Sequence, residues 1–191
     1  MTTHRHFIIH KPFGFLSQFK LVDNRKKKLL GELGDFPEGI MAIGRLDKDS
    51  EGLLLLTTDG KVSYEICSSK VDKEYYVQLD GNISDEALLQ METGVEIGFE
   101  GIKYMTKPCL AQRLAAPPDF PPRTKKIRDD RHGPTRWVSI TIREGKYRQV
   151  RKMTAAVGFP TLRLFRVRIG NIELGSMKAG AVREVEVLEY L

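Results

Sequence analysis

The chain has 191 residues, 41% of them hydrophobic and 29% charged, with 31 Lys and Arg against 25 Asp and Glu for a formal charge of +6. This composition fits one large domain or two small lobes sharing a core, and argues against global disorder. The longest apolar run, Leu53-Leu54-Leu55-Leu56, is far short of a helical membrane span, and the opening MTTHRH lacks the apolar stretch of a secretory signal. Cys67 and Cys109, with no CxxC, exclude a disulfide scaffold and a four-cysteine zinc site, so a reducing cytoplasm is the expected compartment. The basic excess suits a polyanionic partner, because Lys and Arg displace counterions from phosphates.

In chain order, Phe7–His10 reads as a short buried strand stopped by Lys11-Pro12-Phe13-Gly14. Arg25–Lys28 leads into Leu29, Leu30 and Leu33, a short helical pattern that Gly34 would end. Leu53–Thr57 is a continuous apolar run between glycines, a fully buried strand, and Asp59 follows as a helix N-cap with Val62 and Ile66 facing inward. KEYYVQL at 73–79 is a strand, and Ser84 caps a helix carrying Ala87, Leu88 and Met91 that Gly94 closes.

From 111 to 136 the pattern changes. Ala116-Pro-Pro-Asp-Phe-Pro-Pro-Arg123 cannot be helix or central strand, since proline lacks the donor, and TKKIRDDRHGPTR follows. This 111–136 insertion carries seven basic residues against three aspartates, which predicts a basic loop that orders on a polyanion. Trp137–Ile142 alternates as a half-exposed strand, and Tyr147, Val150, Met153 and Val157 recur at helical spacing, facing the core. Strands at Leu162–Ile169 and Arg183–Leu188 complete an α+β pattern with no βαβ repeat.

Two segments could carry chemistry. Gly44-Arg-Leu-Asp-Lys-Asp-Ser-Glu-Gly52 is a polar loop with three carboxylates leading directly into the buried strand. Such a loop can hold one of Asp47, Asp49 and Glu51 at the mouth of a core while the others face water. The trio lacks the spacing of a calcium loop. In Glu144–Met153, helical geometry would align Arg148, Arg151 and Lys152 on one face, suited to phosphate. His4, His6 and His10 are read as a tail and a strand histidine, His132 as solvated, and Cys67 as packed within its helix.

These segments resemble a family. GRLDKDSEGLLLLTTDG is similar to the catalytic motif of the bacterial ribosomal RNA pseudouridine synthases of the RsuA type. FIIHKPFG, KEYYVQL and EGKYRQVRKM resemble that family's first, tyrosine and arginine motifs, and LRLFRVRIG follows in the family's order. The insertion ending in HGPTRWVSI is most similar to that of a large-subunit member. Relatives often carry an N-terminal RNA-binding domain of the S4 type, and Asn in place of Thr58 and Tyr147. The resemblance implies a single catalytic domain over 1–191 without the S4 module. It also implies a mixed, mostly antiparallel sheet across two α/β lobes with the cleft between them.

The implied activity is isomerisation of a uridine in ribosomal RNA to pseudouridine, with no cofactor and no metal. Asp47 would be the carboxylate at the mouth of the core and the catalytic one, with Asp49 and Glu51 facing solvent, Arg151 its counter-charge and Tyr75 the ring against the target base. Arg45, Lys125, Lys126, Arg128, Arg131, Arg148 and Lys152 would contact the RNA. The expected partner is ribosomal RNA, with no membrane, and the expected state is a monomer. Two other readings stand beside this one: a non-catalytic RNA-binding or ribosome-assembly protein on the same fold, and a hydrolase with paired carboxylates. The second lacks an opposed acid in any recognisable motif.

Overall fold

The computed structural model describes residues 4–20, 27–68, 70–128 and 130–191. Strands β1 (His6–Lys11), β2 (Phe15–Leu16), β3 (Lys28–Leu29), β4 (Met41–Ile43) and β5 (Glu51–Thr57) precede helix α1 (Gly60–Cys67). Then come β6 (Lys73–Asp80), α2 (Asp85–Thr93), β7 (Glu96–Phe99), β8 (Ile102–Met105), β9 (Leu110–Arg113) and β10 (Thr135–Ile142). The chain continues through α3 (Gln149–Ala156), β11 (Thr161–Ile169), β12 (Ile172–Glu173) and β13 (Val182–Val185). It divides into two compact units, Met1–Val71 with Phe165–Leu191, and Asp72–Leu164.

In the first unit, β1 lies between β13 and β5, antiparallel to both, and the C-terminal part of β11 runs parallel to β5. β4 pairs with the later residues of β5, Met41 opposite Thr57 and Ile43 opposite Leu55. Every residue of β5 is buried, which is why it reads as four consecutive leucines rather than an alternation. Asp59 caps α1 as its carboxylate accepts from the Lys61 and Val62 amides, and Ile66 is buried on the inward face.

In the second unit, β10 pairs antiparallel with β6 on one edge and β9 on the other. β6 alternates buried and half-exposed residues, so one of its faces meets the core. The Ser84 hydroxyl caps α2 by accepting from the Ala87 amide at 3.2 Å. β7 and β8 form an antiparallel hairpin. The mixed composition and mostly antiparallel pairing agree with the α+β expectation.

Four expectations need correction. The helical pattern of 25–33 is not a helix: Lys28–Leu29 pair with β2, and Leu30–Glu32 form a single 3₁₀ turn, while Arg25 and Lys26 lie outside the described residues. Tertiary bonds override local propensity there, since the Leu30 amide donates to Gln18 O at 3.0 Å and Leu30 is fully buried. The two ends of the 111–136 segment are strand, Leu110–Arg113 and Thr135–Ile142, which shortens the loop to 114–134. Glu51, expected in water, opens β5 and is 5% exposed, because its backbone is drawn into the pairing with β11. Cys67, expected to pack, ends α1 on its exposed side.

The 114–134 loop is tied to its own unit at several points. The Phe120 ring lies 5.8 Å from Trp137 and 6.2 Å from Tyr76. Arg163 Nη2 donates to Pro121 O at 2.7 Å, and Arg123 Nε to Lys125 O at 2.8 Å. Arg128 donates to the Asp80 carboxylate and to Gly133 O at 3.1 Å. Aromatic packing and guanidinium bonds thus replace the backbone ladder that the prolines forbid.

Candidate active site

The carboxylate loop between β4 and β5 is held by the turn that follows β1. The Gly14 amide donates to Lys48 O at 2.8 Å. Ser17 Oγ donates to Leu46 O at 2.7 Å and accepts from the Leu46 amide at 3.0 Å. Within the loop, the Ser50 amide donates to Asp47 O at 3.0 Å, closing a turn around Asp47. Leu46 and Ser50 are buried on either side, while Asp47 is half-buried and Arg45 and Lys48 are exposed. Asp49, expected in water, is half-buried like Asp47, so the loop anchors its flanks and holds two carboxylates at the border of the core.

Gly52 shows why the motif ends on glycine. Its φ is +104°, and a Cβ there would lie 2.4 Å from Arg166 O and 2.9 Å from Arg166 N. Only a residue without a side chain lets β11 run against β5 at this point.

Beneath this loop lies a cation that sequence reasoning treated as turn punctuation. Lys11, at the end of β1 opposite Gly52, is fully buried. Its ammonium donates to Phe15 O at 2.8 Å and Pro12 O at 3.1 Å. Burial pushes its pKa down to about 8, against the pull of Glu51, Asp47 and Asp49, and Arg166 pushes the same way as burial. Arg166 is itself 3% exposed, with Nε donating to Leu53 O at 2.8 Å. The carboxylates of the loop therefore act on a buried ammonium of their own unit, with the Arg166 guanidinium close enough to it to be felt. A lysine closing an apolar strand before a Pro turn was the available signal, but nothing local says that such a lysine will be buried.

In the second unit, Tyr75 sits in β6 opposite Ile140 and is 8% exposed. Arg151 lies half-buried in α3. The turn before α3 is built on Glu144, which is buried without any need of a lysine. It accepts from Tyr104 Oη at 2.5 Å, Gln149 Nε2 at 2.6 Å and the Lys107 amide at 2.8 Å. Gln149 Oε1 in turn accepts from the Lys146 amide at 3.0 Å.

Two expectations about this motif change. Helical periodicity extended the helix back to Tyr147, but α3 begins at Gln149, and Arg148 caps it in the left-handed region at φ 52°. Arg148 therefore does not share a helical face with Arg151 and Lys152, and Tyr147 is 72% exposed rather than core. Lys152 Nζ donates to Gly98 O at 2.7 Å. Among the remaining candidates, Lys125, Lys126 and Arg131 are exposed, and Arg128 is engaged by Asp80.

His6 and His10 are structural. His6 Nδ1 lies 2.9 Å from Thr57 Oγ1, and His10 Nδ1 donates to Met177 O at 2.7 Å. No cluster of three or more metal-ligating side chains occurs among the described residues. No helix among them is long and apolar enough to cross a membrane.

Comparison with known proteins places these features. The chain is 41% identical over 178 residues to ribosomal large subunit pseudouridine synthase E of Xanthomonas campestris pv. campestris, covering 92% of each chain. It is 41% identical over 184 residues to the protein of the same name from Vibrio parahaemolyticus, covering 94% of this chain and 73% of that one. Among solved structures, a pseudouridylate synthase crystal structure superposes with a TM-score of 0.75 at 30% identity, covering 95% of this chain and 70% of the other. The family model for RNA pseudouridylate synthases matches residues 5–156, a span that takes in the Asp47 loop, Tyr75 and Arg151. The chain belongs to the RNA pseudouridylate synthase family.

Proposed function

We propose that this isomerase converts one uridine of ribosomal RNA, in the large subunit, to pseudouridine, with Asp47 as the catalytic carboxylate. The observation that carries the assignment of Asp47 is the construction of its loop. Asp47 follows directly on buried Leu46, whose amide and carbonyl are both bound by Ser17, its own carbonyl accepts from the Ser50 amide, and its half-buried carboxylate acts on the buried Lys11 ammonium. The names of the relatives support ribosomal RNA and the large subunit as the substrate.

The reaction breaks the bond between uracil N1 and sugar C1′, rotates the base and forms a bond from C5 to C1′. N1 gains a proton and C5 loses one, so atoms balance without a redox partner. Asp47 acts at the sugar C1′ region, where a carboxylate serves as nucleophile or base. Tyr75 lies against the target base, taken out of its stack, and Arg151 keeps the carboxylate ionised. Arg45, Lys125, Lys126 and Arg131 supply phosphate contacts from exposed positions, with Arg148 at the N-cap of α3 and Lys152 within it. Arg128 serves by holding the loop that carries Lys125 and Lys126. The enzyme works as a monomer in the cytoplasm, with no cofactor.

The test is release of tritium from ribosomal RNA labelled at uridine C5, followed by mapping of pseudouridine in ribosomal RNA from cells lacking the protein. Loss of one large-subunit pseudouridine in those cells is the expected result. An unchanged map with no tritium release overturns the reading.

A further inference from the structure

The turn before α3 and the β7–β8 hairpin place three aromatic rings and two lysines together within the second unit. Lys152 Nζ lies 3.9 Å from the centre of the Phe99 ring and 5.4 Å from that of Tyr147. Lys146 Nζ lies 5.0 Å from the Tyr104 ring, and the Phe99 and Tyr104 rings meet edge-on at 5.9 Å. Tyr104 is fixed by its bond to buried Glu144, and Lys152 by its bond to Gly98 O. Tyr147, by contrast, is 72% exposed and buries little surface in the fold. An aromatic ring kept in water beside the fixed Lys152 ammonium does little for stability and has one face available to a partner.

Resting on the reading of the chain as an RNA-modifying enzyme, we infer that Tyr147, flanked by Lys146 and Lys152, is a stacking subsite for an unpaired nucleotide of the RNA, outside the target uridine itself. The chemistry selects this occupant. An aromatic face accepts any base, and ammonium groups at its margin meet the phosphate of the same nucleotide, which is how single strands are held without sequence readout. An apolar protein partner would gain nothing from the lysines, and a duplex, whose bases are already stacked, would offer nothing to the ring. The glutamates nearby do not cancel the charge: Glu144 is buried in its hydrogen bonds and Glu96 is paired with Lys103 at 2.8 Å. Tyr147 lies four residues before Arg151 in the chain, on the same motif.

The test is a fluorescence-anisotropy titration of the full chain with a short single-stranded oligoribonucleotide and with the same strand in duplex. Tyr147→Ala is expected to weaken single-strand binding roughly 5- to 150-fold, the range for loss of one stacked base, and to leave duplex binding unchanged. Tyr147→Phe, which keeps the ring, should bind as the wild type does. In Tyr147→Trp, single-strand RNA should quench indole emission beyond any change shown by Trp137 in the wild type, a signature that a merely structural tyrosine would not give. Equal affinity of the Ala variant for the single strand, or no added quenching, overturns the subsite. A wild-type chain that binds neither RNA form fails the RNA reading itself, a result distinguishable from the first.

Discussion

The Ser17 hydroxyl donates to the carbonyl of Leu46 and accepts from the amide of the same residue, so one side chain satisfies both backbone groups next to Asp47. Leu46 is 6% exposed, and water cannot easily replace either bond. Ser17→Ala should therefore cost about 1–3 kcal/mol, the penalty for leaving buried polar groups unmade. It should also lower kcat, since the carboxylate loses its fixed position. Urea denaturation and single-turnover kinetics measure the two effects, and wild-type values in both would show that the clamp is dispensable.

Asp47→Asn keeps the shape of the side chain and removes its charge and nucleophilicity. Turnover should fall by at least about 10³-fold while the melting curve stays close to wild type. Tritium release and calorimetry on the same sample separate a chemical defect from a folding one. Residual turnover near the wild-type rate would remove Asp47 from the chemistry.

Gly52→Ala places a methyl group against the Arg166 backbone at a φ that L-residues avoid. The clash and the strained dihedral together should cost about 2–4 kcal/mol, a drop in Tm of roughly 4–16 °C for a chain of this size. Arg166→Ala should not rescue the variant, because the obstruction is main chain. Rescue would mean that the two strands can part without penalty.

Lys11 ties stability to pH. Its pKa is pushed down to about 8 in the fold, against an ordinary value of 10.5. Between those two values the unfolded chain holds a proton that the folded chain has released, so folding stability rises with pH across that interval. Below about pH 8 both states are protonated and the full cost of burying the ammonium is felt. The gain should approach about 3 kcal/mol by the top of the interval. Tyr104 and Tyr190, held protonated by Glu144 and Glu65, act in the opposite sense near their own titration. The comparison is therefore made between wild type and Lys11→Met by denaturation across pH 7.5–10.5, where the Met variant should lack the rise. Parallel curves would place the lysine in contact with water.

Arg128 ties the loop to the end of β6 and to its own last residues, bonding Asp80, Gly133 O and Pro134 O. Arg128→Ala should leave the sheet intact, cost about 1 kcal/mol for a partly exposed pair, and speed amide exchange selectively between 114 and 134. Lys125→Gln with Lys126→Gln should instead leave exchange unchanged and reduce the salt dependence of RNA binding, by roughly 0.7 in log–log slope per lost phosphate contact. Exchange that does not change on loss of Arg128 would mean that the rings of Phe120 and Trp137 alone hold the loop.

The strands of the core were legible because their signals are local. Four leucines between glycines can only be buried on both faces, and KEYYVQL carries its alternation openly. Caps at Asp59 and Ser84 were legible for the same reason. What escaped depends on partners distant in the chain. Lys11 is buried because β5 and the loop after β4 close over it, and Phe120 is ordered by Trp137, seventeen residues on. Tyr147 followed the helical period as far as the eye could extend it, yet one left-handed residue at Arg148 ended the helix and turned the ring outward. Of the candidate site, the polar loop that carries Asp47 was legible from its place before a buried strand. The clamp by Ser17 and the cations beneath were not, since neither residue stands near Asp47 in sequence.

The two units differ in how the chain supplies them. Asp72–Leu164 is one uninterrupted stretch, while the unit that holds Asp47 is assembled from Met1–Val71 and Phe165–Leu191. During synthesis the first can close as soon as its last residue is free. The second must wait, since β1 finds its outer neighbour only in β13, with His6 paired to Val185, and Gly52 meets Arg166 only when β11 has been made. A nascent chain thus carries Asp47 on an unfinished sheet until β11 and β13 have been made. The long-range pairings that make this unit slow to form also delay the moment at which the Asp47 loop acquires its folded surroundings.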